Sequence, residues 1–307
     1  MERTMKILVV GGSGLLGQHV LDELRNRGHE TTAVARTARE GVDRTLDVSK
    51  ASHAELREAL DGYDGVVFAG GMDDRAVGRG PVEPRLRAGN VAPVVALLRA
   101  AREAGCTRAA VLGSYYTYFD RVRPEWGLAA KHPYVRSRLE QARVARETAG
   151  PGLPVAVIEV PFVFGVAEDR VPQWSVPIVK WVRSNSPLFA PPGGTAATSA
   201  RGVGVATVDA LEQASGADVP VAQENLQWTD MFARLAAAAG RPRRVRPLPS
   251  WPVRGAVKLG GFLNGLSGKQ PGLTVRHMDG LLLRELYLEL NYPAPVDEAI
   301  RETAVAR

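Results

Sequence analysis

The segment Ile7-Leu8-Val9-Val10-Gly11-Gly12-Ser13-Gly14-Leu15-Leu16-Gly17 constrains this chain more than any other. Four apolar residues read as a buried strand. Glycines at 11, 14 and 17 then turn it into an amphipathic run (Leu15, Leu16, Val20, Leu21, Leu24) that stops at Gly28. In such a unit the first glycine permits the tight turn, the second admits a pyrophosphate against the backbone, and the third lets the helix pack on the strand. The helix start offers free N–H groups and the positive end of its dipole to phosphate. Glycine-rich turns also join strands to helices where no ligand binds. The position of this one, directly after four apolar residues and ahead of an amphipathic helix, favours a dinucleotide cradle.

Strand-like and helix-like runs alternate from there. Strands are expected over 31–35, 65–69, 109–112 and 155–160, and helices over 54–60, 91–103 and 134–147. This is the pattern of an α/β chain with a doubly wound parallel sheet, whose right-handed crossovers gather the strand C-terminal ends along one ligand-binding edge. From about Gly165 the alternation fades among Pro172, Pro177, Pro187, Pro191 and Pro192, and helical periodicity returns at 207–214, 230–239 and 278–290. The organisation expected is a nucleotide-binding domain over 1–165 and a smaller substrate domain over 166–307, with parts of 203–225 returning to the first.

Composition excludes several classes. The chain has 307 residues, 45% hydrophobic and 23% charged, as an ordinary globular protein does. Cys106 is the single cysteine, so neither an intrachain disulfide nor a thiolate metal cluster can form, and no metal is expected. Arg3 and Lys6 ahead of an apolar run imitate a secretory signal, but the glycines interrupt it and polar Gln18, His19 and Asp22 follow. No stretch approaches the roughly 20 apolar residues of a membrane span, and a cytoplasmic location is expected. The net charge is +6, with arginine far outnumbering lysine. The densest basic run, Arg241-Pro242-Arg243-Arg244-Val245-Arg246, has no interleaved aromatics to stack bases and reads as a solvated loop. The partner expected is a small-molecule substrate, with a homodimer open and neither nucleic acid nor membrane expected.

The second strand ends in Val34-Ala35-Arg36-Thr37, where NAD sites place a carboxylate for the ribose hydroxyls. With no acid to repel a 2′-phosphate and Arg36 able to pair with one, NADP is expected over NAD; the alternative is that Arg36 is a plain surface residue. Asp47 is placed to contact the adenine edge.

Ser114 follows the strand over 109–112, and Tyr134-Val135-Arg136-Ser137-Arg138 opens a helix twenty residues later. With the glycine turn, Asn90-Val91, the helix ending at Gly105, Pro161-Phe162-Val163-Phe164-Gly165 and Glu224-Asn225-Leu226, these residues make most of the chain resemble an extended or atypical short-chain dehydrogenase/reductase of the epimerase/dehydratase branch, with a Rossmann-type fold. The resemblance implies that Ser114 orients a substrate oxygen and Tyr134 transfers its proton. Residue 138 would bind the nicotinamide ribose and lower the tyrosine pKa. The family has lysine at that position and this chain has Arg138, which shares a helix face with Tyr134 and can favour the phenolate but cannot relay a proton. Expected cofactor contacts are Gly11, Ser13, Gly14, Leu15, Leu16, Gly17, Arg36, Asp47, Val48, Ala69, Gly70, Asn90, Tyr134, Arg138 and Pro161.

Two further departures stand out. The family often has an arginine before the proline where this chain reads Glu159-Val160-Pro161, and an acidic pair where this chain reads Val205-Ala206-Thr207-Val208-Asp209. Substrate recognition is therefore expected to differ from that of sugar-nucleotide enzymes. Tyr115, Tyr116, Tyr118, Phe119 and Trp126 either line an apolar pocket or pack a core, and His132 reads as an incidental loop histidine. The leading expectation is an NADP-dependent oxidoreductase moving hydride to or from a carbonyl or hydroxyl carbon of a small, fairly apolar metabolite. The alternatives are a sugar-nucleotide epimerase or dehydratase with bound NAD, using Arg183 or Arg201 for the diphosphate, and a non-catalytic dinucleotide-binding regulator.

Overall fold

Seven strands form one parallel sheet: β1 (Lys6–Val10), β2 (Glu30–Ala35), β3 (Arg44–Thr45), β4 (Gly65–Phe68), β5 (Arg108–Leu112), β6 (Val155–Glu159) and β7 (Asp218–Pro220). Their spatial order is β7-β6-β5-β4-β1-β2-β3, in a computed structural model that describes residues 4–75, 77–266 and 268–306. The strands are apolar on both sides because both faces are covered. Leu8 and Val10 of β1 join one core with Val34, Val66, Phe68 and Val111, under helices α2 (His53–Ala59), α3 (Ala92–Glu103) and α4 (Pro133–Ala149). Ile7 and Val9, pointing the other way, join a second core under α1 (Leu15–Asn26) and α5 (Ala200–Glu212). This is the α/β doubly wound architecture the alternation implied.

Helix α5 begins seven residues earlier than the apolar periodicity indicates, because the Ser199 hydroxyl caps it by accepting from Gly202 N at 2.9 Å. It lies close on α1: a Cβ at Gly204 would stand 2.5 Å from the His19 carbonyl oxygen. Arg27, just past α1, ties the pair by bonding Asp209 at 2.8 Å and Glu212 at 2.6 Å. Strand β7 follows and pairs in parallel with β6, so this part of the chain completes the seven-stranded sheet.

The remaining C-terminal residues build a smaller layer around the strand Gly194–Ser199, which pairs with Phe162–Phe164, Glu224–Gln227 and Glu285–Leu286. The helix expected over 278–290 is not formed. One turn, Asp279–Leu282, gives way to the strand Glu285–Leu286, and the Asn225 amide brackets Leu288, accepting from its N–H at 3.1 Å and donating to its carbonyl at 2.8 Å. That amide acts as a strand partner and holds the segment extended. The basic run is not simply a solvated loop either. Val245–Pro247 pairs with Leu188–Ala190, and Arg243 donates to the carbonyls of Val182 and Ser186. A long helix, α6 (Ser250–Leu266), lies beyond it, a segment that four glycines and Pro252 hide from periodicity.

After α6 the chain forms a strap. Lys269–Pro271 pairs antiparallel with Val77–Arg79, and Leu273 N donates to Asp74 O at 3.2 Å. Tyr134 N donates to Gly272 O at 2.9 Å, and Thr274 N donates to His132 Nδ1 at 3.1 Å. Gly272 is required here, since a Cβ would meet the Asp74 carbonyl oxygen at 2.7 Å. His132 is therefore an anchor and not incidental. It is fully buried, and desolvation, with the charges of His277 and Lys131 adding, lowers its pKa to about 4.

Two outcomes are expected. Gly204→Ala should destabilise the protein by roughly 1–3 kcal/mol through backbone displacement between α1 and α5, read from denaturant unfolding. His132 is neutral when folded but takes up a proton near its ordinary 6.5 when unfolded. Its contribution is thus intact above pH 6.5 and is lost as pH falls through about 4. Unfolding followed across that window should show the loss, and His132→Gln should flatten it.

Candidate active site

The glycine turn closes tightly between β1, β2 and β4. Gly11 adopts φ +84°, and the N–H groups of Gly11 and Gly12 both donate to Val34 O, at 2.8 and 3.2 Å. A Cβ on Gly11 would stand 2.9 Å from Ala69 C and Gly70 N, and one on Gly17 only 2.1 Å from Gly11 O. Gly14 is the N-cap of α1, and no side chain caps this helix, whereas Ser52 and Ser199 cap α2 and α5. An uncapped helix start behind a glycine-rich turn is suited to phosphate oxygens. Ser13 sits in the turn half-buried, and Leu15 and Leu16 pack half-buried against the second core.

Arg36 is exposed at the C-terminal end of β2. Nearby Asp47 accepts from Ser49 Oγ at 2.6 Å and Ser49 N at 3.1 Å. The Ser49 hydroxyl, then the Ser49 N–H and the charges of Lys50 and Arg36, hold this carboxyl below its usual range against some desolvation. Val48 beside it is buried.

At the other side of the edge, Pro133 occupies the first position of α4 and sets the helix going, with Tyr134 next and Arg138 one turn on. Both are buried, and the Arg138 guanidinium lies 5.2 Å from the centre of the Tyr134 ring. Arg138 Nη1 donates to Gln141 Oε1 at 2.9 Å and to Leu112 O at 3.3 Å, while Nη2 reaches Met72 O at 3.4 Å. It thereby joins α4 to the end of β5, two residues before Ser114. Its Nε is buried with no partner among the described residues, a donor free for a hydroxyl. Ser114 is buried and its Oγ accepts from Tyr116 N at 3.5 Å, while the Tyr116 ring meets Tyr134 edge-on at 6.5 Å. Burial pushes the Tyr134 phenol up, Arg138 pulls it back, and the balance lies above the ordinary 10.0.

Asn90 is fully buried within a π-turn, Arg87–Val91, and serves as a clasp. Its Oδ1 accepts from Met72 N at 2.6 Å, its Nδ2 donates to Ser137 Oγ at 3.2 Å, and its carbonyl accepts from Gln141 Nε2 at 2.7 Å. Gln141 thus supports both Arg138 and Asn90, a role foreshadowed only by its i+3 spacing from Arg138. The pair Asp73-Asp74 was also missed. Asp74 faces Tyr134 and Arg138, and burial together with Asp73 raises its pKa. Its only sequence signal is two acids following Gly70-Gly71 at the end of β4.

Tyr115 and Phe119 are core, and Phe119 stacks on Trp126 at 5.8 Å; of the aromatic cluster, Tyr116 is the member in ring contact with Tyr134. Glu159 is fully buried and accepts from Thr117 Oγ1 at 2.6 Å and from Arg121 at 3.0 and 3.1 Å, so its cation comes from Arg121. Pro161 is buried at the chain turn beyond β6. Arg183 spends its Nη2 on Ala304 O at 2.7 Å, and Arg201 is exposed in the first turn of α5. No group of three or more metal-ligating side chains occurs among the described residues.

A nicotinamide dinucleotide fits what is present: a glycine-rich turn, an uncapped helix start, and an orphaned donor on Arg138. Residues 11–159 match a family described as NAD(P)H-binding. The UPF0659 protein YMR090W of Saccharomyces cerevisiae is 34% identical over a stretch covering 24% of this chain and 38% of that protein, so the match spans well under half of that relative's length. The crystal structure of gox2253 superposes with a TM-score of 0.75 at 20% identity, covering 98% of this chain and 97% of that one. Human epimerase family protein SDR39U1 with NADPH gives 0.68 at 15% identity, covering 98% and 99%. The UDP-N-acetylglucosamine 4-epimerase from Bacillus cereus gives 0.66 at 16% identity, covering 98% and 96%. Residues 11–159 thus match an NAD(P)H-binding family, and the chain as a whole shares the fold of these structures.

Proposed function

We propose that this protein is an NADP-dependent oxidoreductase transferring hydride to or from a carbonyl or hydroxyl carbon of a small, fairly apolar metabolite, its residues taking the following roles in the reductive direction. The observation that carries this reading is the buried Tyr134–Arg138 pair, wired to the end of β5, two strands along the sheet edge from the glycine turn. Gly11, Gly14, Gly17 and the start of α1 would receive the pyrophosphate, Arg36 the 2′-phosphate, and Arg138 the nicotinamide ribose. When bound, the reduced nicotinamide supplies a hydride to the carbonyl carbon. Tyr134 donates its phenolic proton to the carbonyl oxygen, and Ser114 donates a hydrogen bond to the same oxygen and holds it in line. Arg138 stabilises the phenolate that forms, and solvent returns the proton, since a guanidinium stays charged. The Tyr134 phenol, raised further by burial, is protonated at neutral pH and so able to act as the acid.

The whole-chain likeness to a 4-epimerase supports a second reading, transient oxidation of a sugar nucleotide with bound NAD. Nucleotide retained through purification, with no net consumption in turnover, would select it. The contact of Arg183 with Ala304 O leaves that arginine poorly placed for a diphosphate.

Tyr134→Phe should lower kcat for carbonyl reduction by roughly 10²–10⁴-fold while NADPH affinity is kept; unchanged turnover would remove Tyr134 as the acid. Arg36→Ala should weaken NADPH binding by roughly 10–100-fold and leave NADH binding nearly unchanged, as measured by titration. Reductive turnover should stay level through neutral and mildly alkaline pH and fall only as the phenol ionises above 10.0.

A further inference from the structure

Helix α6 is built inside out. Trp251, Leu259, Phe262, Leu263 and Leu266 are 76, 61, 63, 55 and 72% exposed, whereas Val257 is its one buried apolar side chain. Their separations of three, four, seven and eleven residues put them on one face. Beside Val257 the inner side carries glycines. Gly260 and Gly261 lie against the strap, where an added Cβ would stand 3.4 Å from Val275 Cγ1 and 3.0 Å from Arg276 Cα. The large side chains therefore do not pack the helix onto its own protein.

The charge carried by this segment is of one sign. From Arg241 to Met278 the chain has eight lysines and arginines and not one aspartate or glutamate. Arg254 and Lys258, one turn apart and exposed, border the apolar face, and neither forms a salt bridge among the described residues. A second copy of the same helix would bring cation against cation. A protein partner of ordinary composition would not explain a run of this length without acids. An interfacial helix, with tryptophan, phenylalanine and leucine on one face and basic residues beside it, meets all these conditions when it lies on an anionic bilayer.

We propose that α6 is a peripheral membrane-docking helix that seats this protein on anionic phospholipid surfaces. The apolar face enters the headgroup–acyl boundary while Arg254, Lys258 and the neighbouring arginines engage lipid phosphates. No described helix is long and apolar enough to cross a membrane, so the contact is superficial. The strap that leads from α6 to Gly272 carries this surface to the backbone of Tyr134. Docking would set the C-terminal cover of the site at the bilayer, where apolar substrates concentrate.

Flotation of the full-length protein with vesicles tests this directly, comparing phosphatidylcholine alone with phosphatidylcholine containing about one-third phosphatidylglycerol. The protein should float with the anionic vesicles, weakly with the neutral ones, and less as salt is raised. Phe262→Glu with Leu266→Glu should weaken flotation at least about tenfold at an unchanged melting temperature. Arg254→Glu with Lys258→Glu should abolish the preference for anionic lipid, and this pair serves the same purpose if the first variant fails to fold. Failure to float with anionic vesicles, or flotation indifferent to both variant pairs, would overturn the proposal. So would a wild-type dimer that ignores vesicles and dissociates on Phe262→Glu with Leu266→Glu, which would assign the face to a second copy.

Discussion

The approach of Gly17 to the Gly11 carbonyl is the contact on which the rest of the site depends. A Cβ there would lie 2.1 Å from that oxygen, so the first turn of α1 can sit where it does only because residue 17 has no side chain. That closeness sets the angle at which α1 leaves β1 and leaves its first N–H groups uncapped at the sheet edge. It also fixes the surface on which α5 lies, through the close approach of Gly204 to the His19 carbonyl. One glycine contact thus positions an uncapped helix start and, through α5 and β7, the return of the C-terminal chain to the main sheet.

The second organising element is the guanidinium of Arg138. A lysine there would offer a single ammonium to the site. Arginine instead bridges Leu112 O, Met72 O and Gln141 while lying over the Tyr134 ring, and so joins three elements of the edge into one unit. Its fixed charge keeps the phenol from rising as far as burial alone would push it. The buried Asn90, bonded to the same Met72 and Gln141 residues, makes the loop after β4 part of this unit. The strap adds a lid on the N-terminal end of α4, with Gly272 bonded to the Tyr134 backbone and His132 kept neutral as an acceptor. The imidazole at this edge is therefore committed to structure.

The nucleotide-binding half was legible because its signals are local. Ile7–Val10 is apolar on both faces, Gly11, Gly14 and Gly17 are spaced as the turn needs, and Ser52 with Glu55 forms a capping box at the start of α2. Tyr134 and Arg138 were visible through their helical spacing after Pro133. What escaped was decided at long range. The leucines between 281 and 290 fit a helix as well as a strand until Asn225, more than sixty residues away, holds Leu288 extended. Arg121 answers the acid at Glu159 across 38 residues, a pairing that no spacing rule provides. Helix α6 was hidden because Gly260 and Gly261 stand where it meets the strap, so its large apolar residues mark the outside and not a core.

The claim on which the account rests is that this sheet edge holds a phosphorylated nicotinamide dinucleotide. Titration of the purified protein with NADPH and with NADH, followed by calorimetry, tests it most directly. The account predicts saturable one-to-one binding of NADPH and distinctly weaker binding of NADH; the absence of saturable heat with either nucleotide would contradict it.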